Sequence, residues 1–276
     1  MGFFDNLVQE FEKNPEIKTA FGEHIHWGYW QNPQDAVGNL VDFAQASEQL
    51  SLLVLEVADL QPRNTVLDAG CGWGGTIGLA NKLYHDLELI GINIDAEQVQ
   101  QAKVKHQSLH GNHLCFLEGD ACSLPETLPT LDCAWALECI FAFPSRQKFF
   151  TQVNQRLKDG GKLIVVDFLI AEPIVKLWQF VETKILSQII TQSYGKKATS
   201  QVEFIGLKDY QDIANQTGYI LTERKNITKN VQPTYRAIAP TIIRSLNDWI
   251  AVRGLEFFSQ LNLITYELLI FEKVAK

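Results

Sequence analysis

A glycine-rich turn between a strand pattern and a helix pattern constrains this sequence more than any other feature. The segment 64–75 reads NTVLDAGCGWGG, and its apolar, partly β-branched start predicts a strand. Glycines follow at positions 70, 72, 74 and 75, and a helical pattern covers 76–83. Because glycine lacks a Cβ, such a loop can turn sharply and let the backbone approach a ligand. The order of strand, glycine turn and helix predicts a nucleotide-binding loop.

The spacing of these glycines excludes two common nucleotide-binding motifs. It matches neither the dinucleotide fingerprint G-x-G-x-x-G nor the phosphate loop G-x-x-x-x-G-K-[ST], since no lysine follows. A loop without lysine or arginine is poorly suited to phosphate groups. It suits a nucleoside that carries an amino-acid tail, whose carboxylate and ammonium need local partners.

The run DAGCGWG over 68–74 resembles motif I of the class I methyltransferases that use S-adenosylmethionine (SAM). The resemblance implies an α/β fold with a doubly wound, seven-stranded, mostly parallel sheet, an N-terminal helical arm and helical cap insertions. It also implies that SAM is the cofactor and S-adenosylhomocysteine (SAH) the product, with the glycine loop against the amino-acid part. The resemblance extends by motif over about residues 20–170 and only by layout beyond them.

Composition and charge narrow the class of protein further. With 276 residues, 46% of them hydrophobic, the chain can bury a sizeable core. A net charge of −8 and the absence of a basic block argue against a nucleic-acid partner. Five cysteines without C-x-x-C spacing predict no metal site and no disulfide framework. No signal-peptide pattern or long apolar stretch is present, so we expect a cytoplasmic monomer or homodimer without a membrane span.

A segment rich in aromatic residues and histidine precedes the glycine turn. Residues 21–30 read FGEHIHWGYW, and the run H-x-H-x-G-Y-W resembles an N-terminal signature of small-molecule methyltransferases in natural-product pathways. That resemblance implies a position over the SAM site, with Tyr29 near the cofactor's carboxylate and Trp30 as a further contact. The alternative is an aromatic plug that packs the N-terminal helices onto the core. His24 and His26 alternate, would face one side of an extended segment, and are candidates for a base or a substrate contact.

The second strand pattern, 87–94, ends in candidate ribose ligands. Asn93 stands where the family commonly has an acidic residue, and its amide can still exchange hydrogen bonds with a hydroxyl group. Asp95 is predicted to cap the next helix, with Gln98 completing a capping box. The resemblance makes Gln98 a second ribose candidate.

The third strand pattern, 114–118, leads into the run Gly119-Asp120-Ala121. This run resembles the family's adenine clamp, in which a carboxylate accepts from the exocyclic amine of adenine. Asp120 is the candidate carboxylate. A helix cap is the alternative role for Asp120.

Glu138 directly follows the fourth strand pattern, 131–137, where ligands of an open parallel sheet bind. Similar O-methyltransferases have A-L-E here followed by one or two histidines, but this chain has Phe141 and Ala142 at those places. A hydroxyl nucleophile usually needs a base. Glu138 or a histidine of the aromatic segment therefore serves as the base, or the nucleophile is an amine or an electron-rich carbon.

The remaining strands and helices predict an acceptor site. The fifth strand pattern, 162–168, carries Asp167 near its end, and some relatives use an aspartate there against the substrate hydroxyl. Apolar helical patterns over 171–205 and 235–261 predict a cap over an apolar acceptor, and the last strand, 263–272, should run antiparallel.

These observations give one α/β domain with three parts: an N-terminal helical arm over 1–60, a SAM-binding core over 61–170, and helical cap insertions with the last two strands over 171–276. The candidate catalytic residues are Glu138, His24, His26 and Asp167. The candidate cofactor-binding residues are Tyr29, Trp30, Asp68, Gly70, Cys71, Gly72, Asn93, Ile94, Gln98, Gly119, Asp120, Ala121, Leu137 and Glu138. We expect SN2 methyl transfer from SAM to nitrogen, carbon or oxygen of a small, largely apolar secondary-metabolite acceptor. Two alternatives stay open: a lipid-modifying enzyme of the cyclopropane-synthase type, which shares C-G-W-G-G, and a SAM-binding protein without turnover.

Overall fold

The computed structural model describes residues 21–181, 203–243 and 246–275. Its strands are β1 (Thr65–Ala69), β2 (Glu88–Asn93), β3 (His113–Glu118), β4 (Leu131–Leu137), β5 (Leu157–Ile170), β6 (Ile205–Gly206), β7 (Tyr219–Asn226) and β8 (Ile264–Lys273). They form one mixed sheet in the order β3-β2-β1-β4-β5-β8-β7, and the two-residue β6 pairs with β5. Strands β1 to β5 are parallel to one another, whereas β8 is antiparallel to both β5 and β7. The predicted doubly wound, mostly parallel sheet with an antiparallel last strand is confirmed, but among the described residues it has eight strands and not seven, because the short β6 adds to the edge of β5.

Helices connect and cover these strands. The helices are α1 (Leu40–Ala58), α2 (Gly75–Leu83), α3 (Ala96–Lys105), α4 (Arg146–Arg156), α5 (Val175–Val181), α6 (Leu207–Thr217), α7 (Thr228–Val231), α8 (Pro233–Ile242) and α9 (Leu246–Gln260). Short 3-10 turns lie at Pro33–Asp35, Ile140–Ala142 and Glu172–Ile174. Asp95 caps α3 as predicted, because its carboxylate accepts from the backbone N–H groups of Glu97 and Gln98.

The sheet buries both of its faces. Successive residues of a strand point to opposite faces, so Val166 and Phe168 of β5 pack with α1, α2 and α3, whereas Val165 and Leu169 pack with α4 and α6. A parallel strand covered on both sides reads as a nearly continuous apolar run. This explains why the sequence locates the strands well but does not tell which face each residue takes.

Several predicted boundaries differ from the structure. Within the predicted helical arm, a 3-10 turn precedes α1, and the helical pattern predicted over 235–261 is divided between α8 and α9. The fifth strand begins earlier than the predicted 162–168, since Leu157 of β5 already pairs with Leu131. Residues 1–20 of the predicted arm and residues 182–202 of the cap lie outside the described residues. No helix within the described ranges is long and apolar enough to cross a membrane.

Candidate functional site

The glycine turn after β1 has a backbone that side chains would not allow. Gly70, Gly72 and Gly74 have φ values of +78°, +55° and +80°, a region that non-glycine residues rarely occupy. A Cβ on Gly70 would also lie 2.7 Å from the Sγ of Cys139. The N–H groups of Gly70 and Cys71 both donate to the Ile92 carbonyl, at 2.8 and 3.1 Å. The turn is therefore held against the end of β2 with its backbone exposed to a neighbouring cavity.

That cavity lies between the glycine turn and residues 21–30, which we call the arm. It has a volume of about 310 Å³ including its open mouth. The residues that line it are Glu23, His24, Ile25, His26, Asp68, Gly70, Cys71, Gly72, Gly75, Thr76 and Leu137. The structure thus brings two predicted catalytic residues and five predicted cofactor residues to one space, at the carboxyl ends of parallel strands.

Asp68 supplies a buried carboxyl group to this cavity, which Glu23 also lines. It lies in β1 and is 3% exposed, and burial raises the pKa of its side chain to about 7. A cationic group bound beside Asp68 would favour the ionised carboxylate, because opposite charges at short range lower the pKa of an acid. The cavity is therefore suited to an ammonium group.

His24 and His26 share the hydroxyl of Ser51, a residue of α1. Ser51 Oγ lies 3.0 Å from His24 Nδ1, 3.1 Å from His26 Nε2 and 2.9 Å from Thr76 Oγ1. His26 Nδ1 lies 2.9 Å from the Trp27 carbonyl, which can only accept. This bonding assigns the proton of His26 to Nδ1, so that Nε2 accepts from Ser51.

Both histidines are poor candidates for the general base. Burial lowers the pKa of His24 to about 2, with a further contribution from His26, and burial lowers the pKa of His26 to about 4. Both imidazoles are therefore neutral at pH 7, and a base of such low pKa takes up a proton weakly. The hydrogen bonds to Ser51 fit a role as a wall of the cavity better than the predicted catalytic role.

The predicted ribose residues lie beside the glycine turn. Asn93 Nδ2 donates to Gln98 Oε1 at 2.8 Å, and Gln98 Oε1 lies 3.8 Å from where a Cβ on Gly72 would be. The Ile94 N–H donates to Asn93 Oδ1 at 3.0 Å. The Ile94 side chain is 52% exposed, so its predicted cofactor contact would involve a surface position.

The predicted adenine residues lie next to these side chains. The Gly119 N–H donates to the Asn93 carbonyl at 2.9 Å, which joins the end of β3 to the end of β2. Asp120 is partly exposed and accepts from the Cys122 N–H at 2.8 Å, whereas Ala121 is buried. The Asp120 carboxylate is accessible at the edge where a nucleoside would continue from the glycine turn.

Trp30 does not reach the cavity, contrary to its predicted cofactor contact. Its indole N–H donates to Asp42 at 3.0 Å, and its ring packs in a separate cluster with Phe43 and Tyr235. Tyr29 packs against the main core, and its N–H donates to the Ala46 carbonyl. Trp30 therefore fixes the arm to α1, because its one polar group is already used there.

Glu138 lies directly after β4 in an unusual backbone conformation. Its φ is +50°, which is uncommon for a non-glycine residue and is found at functional sites. Its Oε1 accepts from the Trp27 N–H at 2.7 Å and from the Tyr266 hydroxyl. Burial raises the pKa of Glu138 to about 8, whereas the bonds from Tyr266 and Trp27 oppose that rise. A carboxyl group with such a pKa titrates in the range suited to general-base catalysis.

Asp167 does not fit its predicted catalytic role. It is fully buried on the α4 and α6 side of the sheet, where its Oδ2 accepts from the Tyr210 hydroxyl at 2.5 Å and lies 3.5 Å from Arg146 Nη2. The arm packs on the opposite side. Both of its oxygens are engaged, since Oδ1 accepts from the Phe168 N–H. Asp167 is therefore part of a buried structural ion pair.

An aromatic cluster lies beyond the carboxyl ends of β4 and β5. Trp27 meets Phe168 and Tyr235 edge to face, with ring centroids 4.9 and 4.4 Å apart. The ring centroid of Phe204 lies 5.9 Å from that of Phe168 and 6.3 Å from that of Trp178, a residue of α5. The packing role considered above for the aromatic segment thus applies to Trp27, whereas the histidines of the same segment line the cavity.

Sequence reasoning missed three residues of this site. Ser51 is, with Ser47, a polar residue on the mainly apolar buried face of α1, and this pattern is visible in the sequence. Thr76 follows the glycine turn, where the sequence pattern predicts only the start of a helix. Tyr266 lies 128 residues from Glu138, and no sequence signal joins the two.

Comparisons with known proteins agree on one family. Residues 66–161 match a family model described as a methyltransferase domain. The chain is 28% identical to (+)-O-methylkolavelool synthase of Herpetosiphon aurantiacus over 80% of this chain and 72% of that protein. It is 24% identical to 27-O-demethylrifamycin SV methyltransferase of Amycolatopsis mediterranei over 81% of this chain and 76% of that protein.

A solved structure extends the likeness to the fold. The crystal structure of a mycolic acid cyclopropane synthase with SAH superposes with a TM-score of 0.74 at 17% identity. The match covers 99% of this chain and 96% of that one. At this identity the likeness describes the fold alone.

Proposed function

Because the chain belongs to the class I SAM-dependent methyltransferases, we propose that it methylates a hydroxyl oxygen of a small, largely apolar secondary metabolite. The carboxyl group of Glu138 at the end of β4, among aromatic side chains, is the observation that carries this proposal. The names of the two relatives described above both refer to O-methyl chemistry, which favours oxygen over nitrogen or carbon.

The residues around the glycine turn fit SAM. The glycines of the turn have positive φ values that favour a residue without a Cβ, and the described residues that line the cavity include two carboxyl groups and no lysine or arginine. Asp68 and the backbone of Gly70 and Gly72 would hold the amino-acid tail. Asn93 with Gln98 would hold the ribose hydroxyls, and Asp120 the adenine amine. When bound, SAM supplies a methyl group on a sulfonium, an electrophile that needs no metal or further cofactor.

The protein's own contribution is orientation, a dry site and proton removal. Positioning two reactants can lower a barrier by about 7–11 kcal/mol. Phe168 packs against Phe141, Phe204 and the ring of Tyr266, so the hydroxyl that holds Glu138 lies among apolar side chains that would help to keep the site dry. Glu138 in its ionised form takes the proton of the acceptor hydroxyl as the new bond to the methyl carbon forms.

A lipid acceptor is the second candidate function. The C-G-W-G-G run, which resembles that of the cyclopropane synthases, favours it. A SAM-binding protein without turnover is the outcome if binding occurs without transfer.

The experiment combines binding with transfer. SAM binding is measured by calorimetry on the wild type, on Gly72→Val and on Gly254→Val. Gly72 has a positive φ and a Cβ there would lie 3.3 Å from Ile25 Cδ1, whereas a Cβ on Gly254 meets nothing within 4 Å. We expect binding to be lost in the first variant and kept in the matched control.

Transfer is then followed with labelled methyl groups over terpenoid alcohols, indoles and hydroxylated polyketides, together with mass spectrometry of lipids after expression. A labelled ether supports the proposal, and altered acyl chains support the lipid alternative. Failure of the wild type to bind SAM would end both.

A further inference from the structure

The two oxygens of Glu138 differ in their surroundings. Oε1 accepts both the Trp27 N–H and the Tyr266 hydroxyl, whereas Oε2 has no hydrogen-bond partner among the residues that the structure describes. A carboxylate oxygen has room for further donors. One oxygen is therefore held by the protein and the other is available.

We propose that Tyr266 is a positioning residue, which fixes the Glu138 carboxylate through Oε1 so that Oε2 is the oxygen presented to the acceptor hydroxyl. The inference rests on the proposed function, in which Glu138 is the base. It assigns a role to a residue of the last strand that no sequence motif marks.

Tyr266 is rigidly held, as a positioning residue must be. Its side chain is 1% exposed, and its ring meets Phe168 edge to face with centroids 4.8 Å apart. Its N–H donates to the hydroxyl of Thr228 in α7 at 2.9 Å, and its β8 position pairs with Phe168 of β5. The phenol ring is therefore fixed in place, and its hydroxyl holds Glu138 in one position.

The charges and hydrogen bonds around Glu138 define what Tyr266 does. Burial and the charge of Asp167 on β5 favour the neutral carboxyl, whereas the hydroxyl of Tyr266 and the Trp27 N–H of the arm favour the carboxylate. The pKa of Tyr266 itself is raised well above 10, first by burial and then by Glu138, so its phenol keeps its proton. Tyr266 therefore acts as a donor and not as a base.

The proton and electron pairs of the step are balanced. The acceptor O–H bond breaks and its proton moves to Oε2 of Glu138. The oxygen lone pair forms the bond to the methyl carbon, and the pair of the carbon–sulfur bond remains on sulfur. Tyr266 forms and breaks no covalent bond in this step.

The test replaces the hydroxyl of Tyr266 and keeps its ring. In Tyr266→Phe, loss of one hydrogen bond to a charged group should move the acidic limb of kcat/KM for the acceptor upward by about 1 pH unit. At pH 7 kcat/KM then falls about tenfold, the two enzymes converge at high pH, and KM for SAM is unchanged.

Tyr219→Phe is the matched control. Tyr219 is equally buried, and its hydroxyl donates to the Phe150 carbonyl on the other side of the sheet. Tyr219→Phe removes the same hydroxyl oxygen from a buried tyrosine, but the acidic limb of kcat/KM should not move.

A second readout does not depend on activity. In protein labelled with 13C at glutamate carboxyls, the Glu138 signal is identified by its absence from the Glu138→Gln variant and is titrated by NMR. Tyr266→Phe should raise its pKa, and Tyr219→Phe should not. An unchanged NMR titration overturns the role of Tyr266, even if the wild type proves inactive. A wild type that transfers no methyl group, or a fully active Glu138→Gln variant, instead overturns the proposed function.

Discussion

Methyl transfer should depend steeply on pH through Glu138. With a pKa of about 8, the ionised fraction of this carboxyl is about 1% at pH 6, about 10% at pH 7 and half at pH 8. If the carboxylate is the base, kcat/KM for the acceptor at saturating SAM rises about fiftyfold between pH 6 and pH 8. The Glu138→Gln variant should lose this limb and be slower by about 10²–10⁴ at its plateau.

The assay measures labelled product or SAH release over this pH range, with the best acceptor from the panel. Asp68 also titrates nearby, with a pKa of about 7. Saturating SAM removes its effect, because the bound cofactor fixes its charge, and any remaining Asp68 limb would persist in the Glu138→Gln variant. A wild-type profile that is flat, or a limb that survives unchanged in Glu138→Gln, would refute the reasoning.

Stability gives an independent measure of the same group. The folded pKa of Glu138 lies above its usual 4.5, so the folded state binds the proton more tightly than the unfolded state. Its contribution to the free energy of unfolding is complete below about pH 4.5 and is lost as the pH rises through about 8. Urea unfolding should therefore find Glu138→Gln no more stable than wild type at pH 4 and more stable at pH 8.

Three further perturbations test other parts of the site. Arg146→Met should lower the free energy of unfolding by about 3–5 kcal/mol in urea titrations, because Asp167 would remain buried without its partner; unchanged stability would contradict this reading. Glu23→Gln removes an ion pair of 3.3 Å with Lys82 that fixes the arm. SAM dissociation in stopped-flow measurements should become about two- to fivefold faster at low salt, and the difference should vanish in 0.5 M NaCl, as expected for a partly exposed pair. Ser51→Ala should cost about 1–3 kcal/mol of stability and weaken SAM binding in calorimetry, since two buried imidazoles lose their shared partner; a variant with wild-type stability would show that the network is dispensable.

The sequence alone determined the glycine-rich loop and the positions of the strands along the chain. The Gly70–Gly72 turn could be recognised because residues other than glycine rarely adopt that backbone conformation. The type and spacing of the residues therefore identify the turn. The strands and most of the helices could be located because apolar runs and helical periodicity are local patterns. The histidines and Glu138 could be named as candidates, but not ranked.

The tertiary structure decided which candidate side chains line the cavity and which are engaged elsewhere. Asp167 lies in a strand that is apolar on both sides, so its neighbours in sequence do not reveal its face, and only packing against α4 and α6 places it with Arg146. The histidines are neutral because packing of the chain buries both imidazoles, which no local pattern reveals. Tyr266 meets Glu138 through the pairing of β8 with β5. Contacts across such distances in sequence arise from sheet register and burial, which no single segment of the chain encodes.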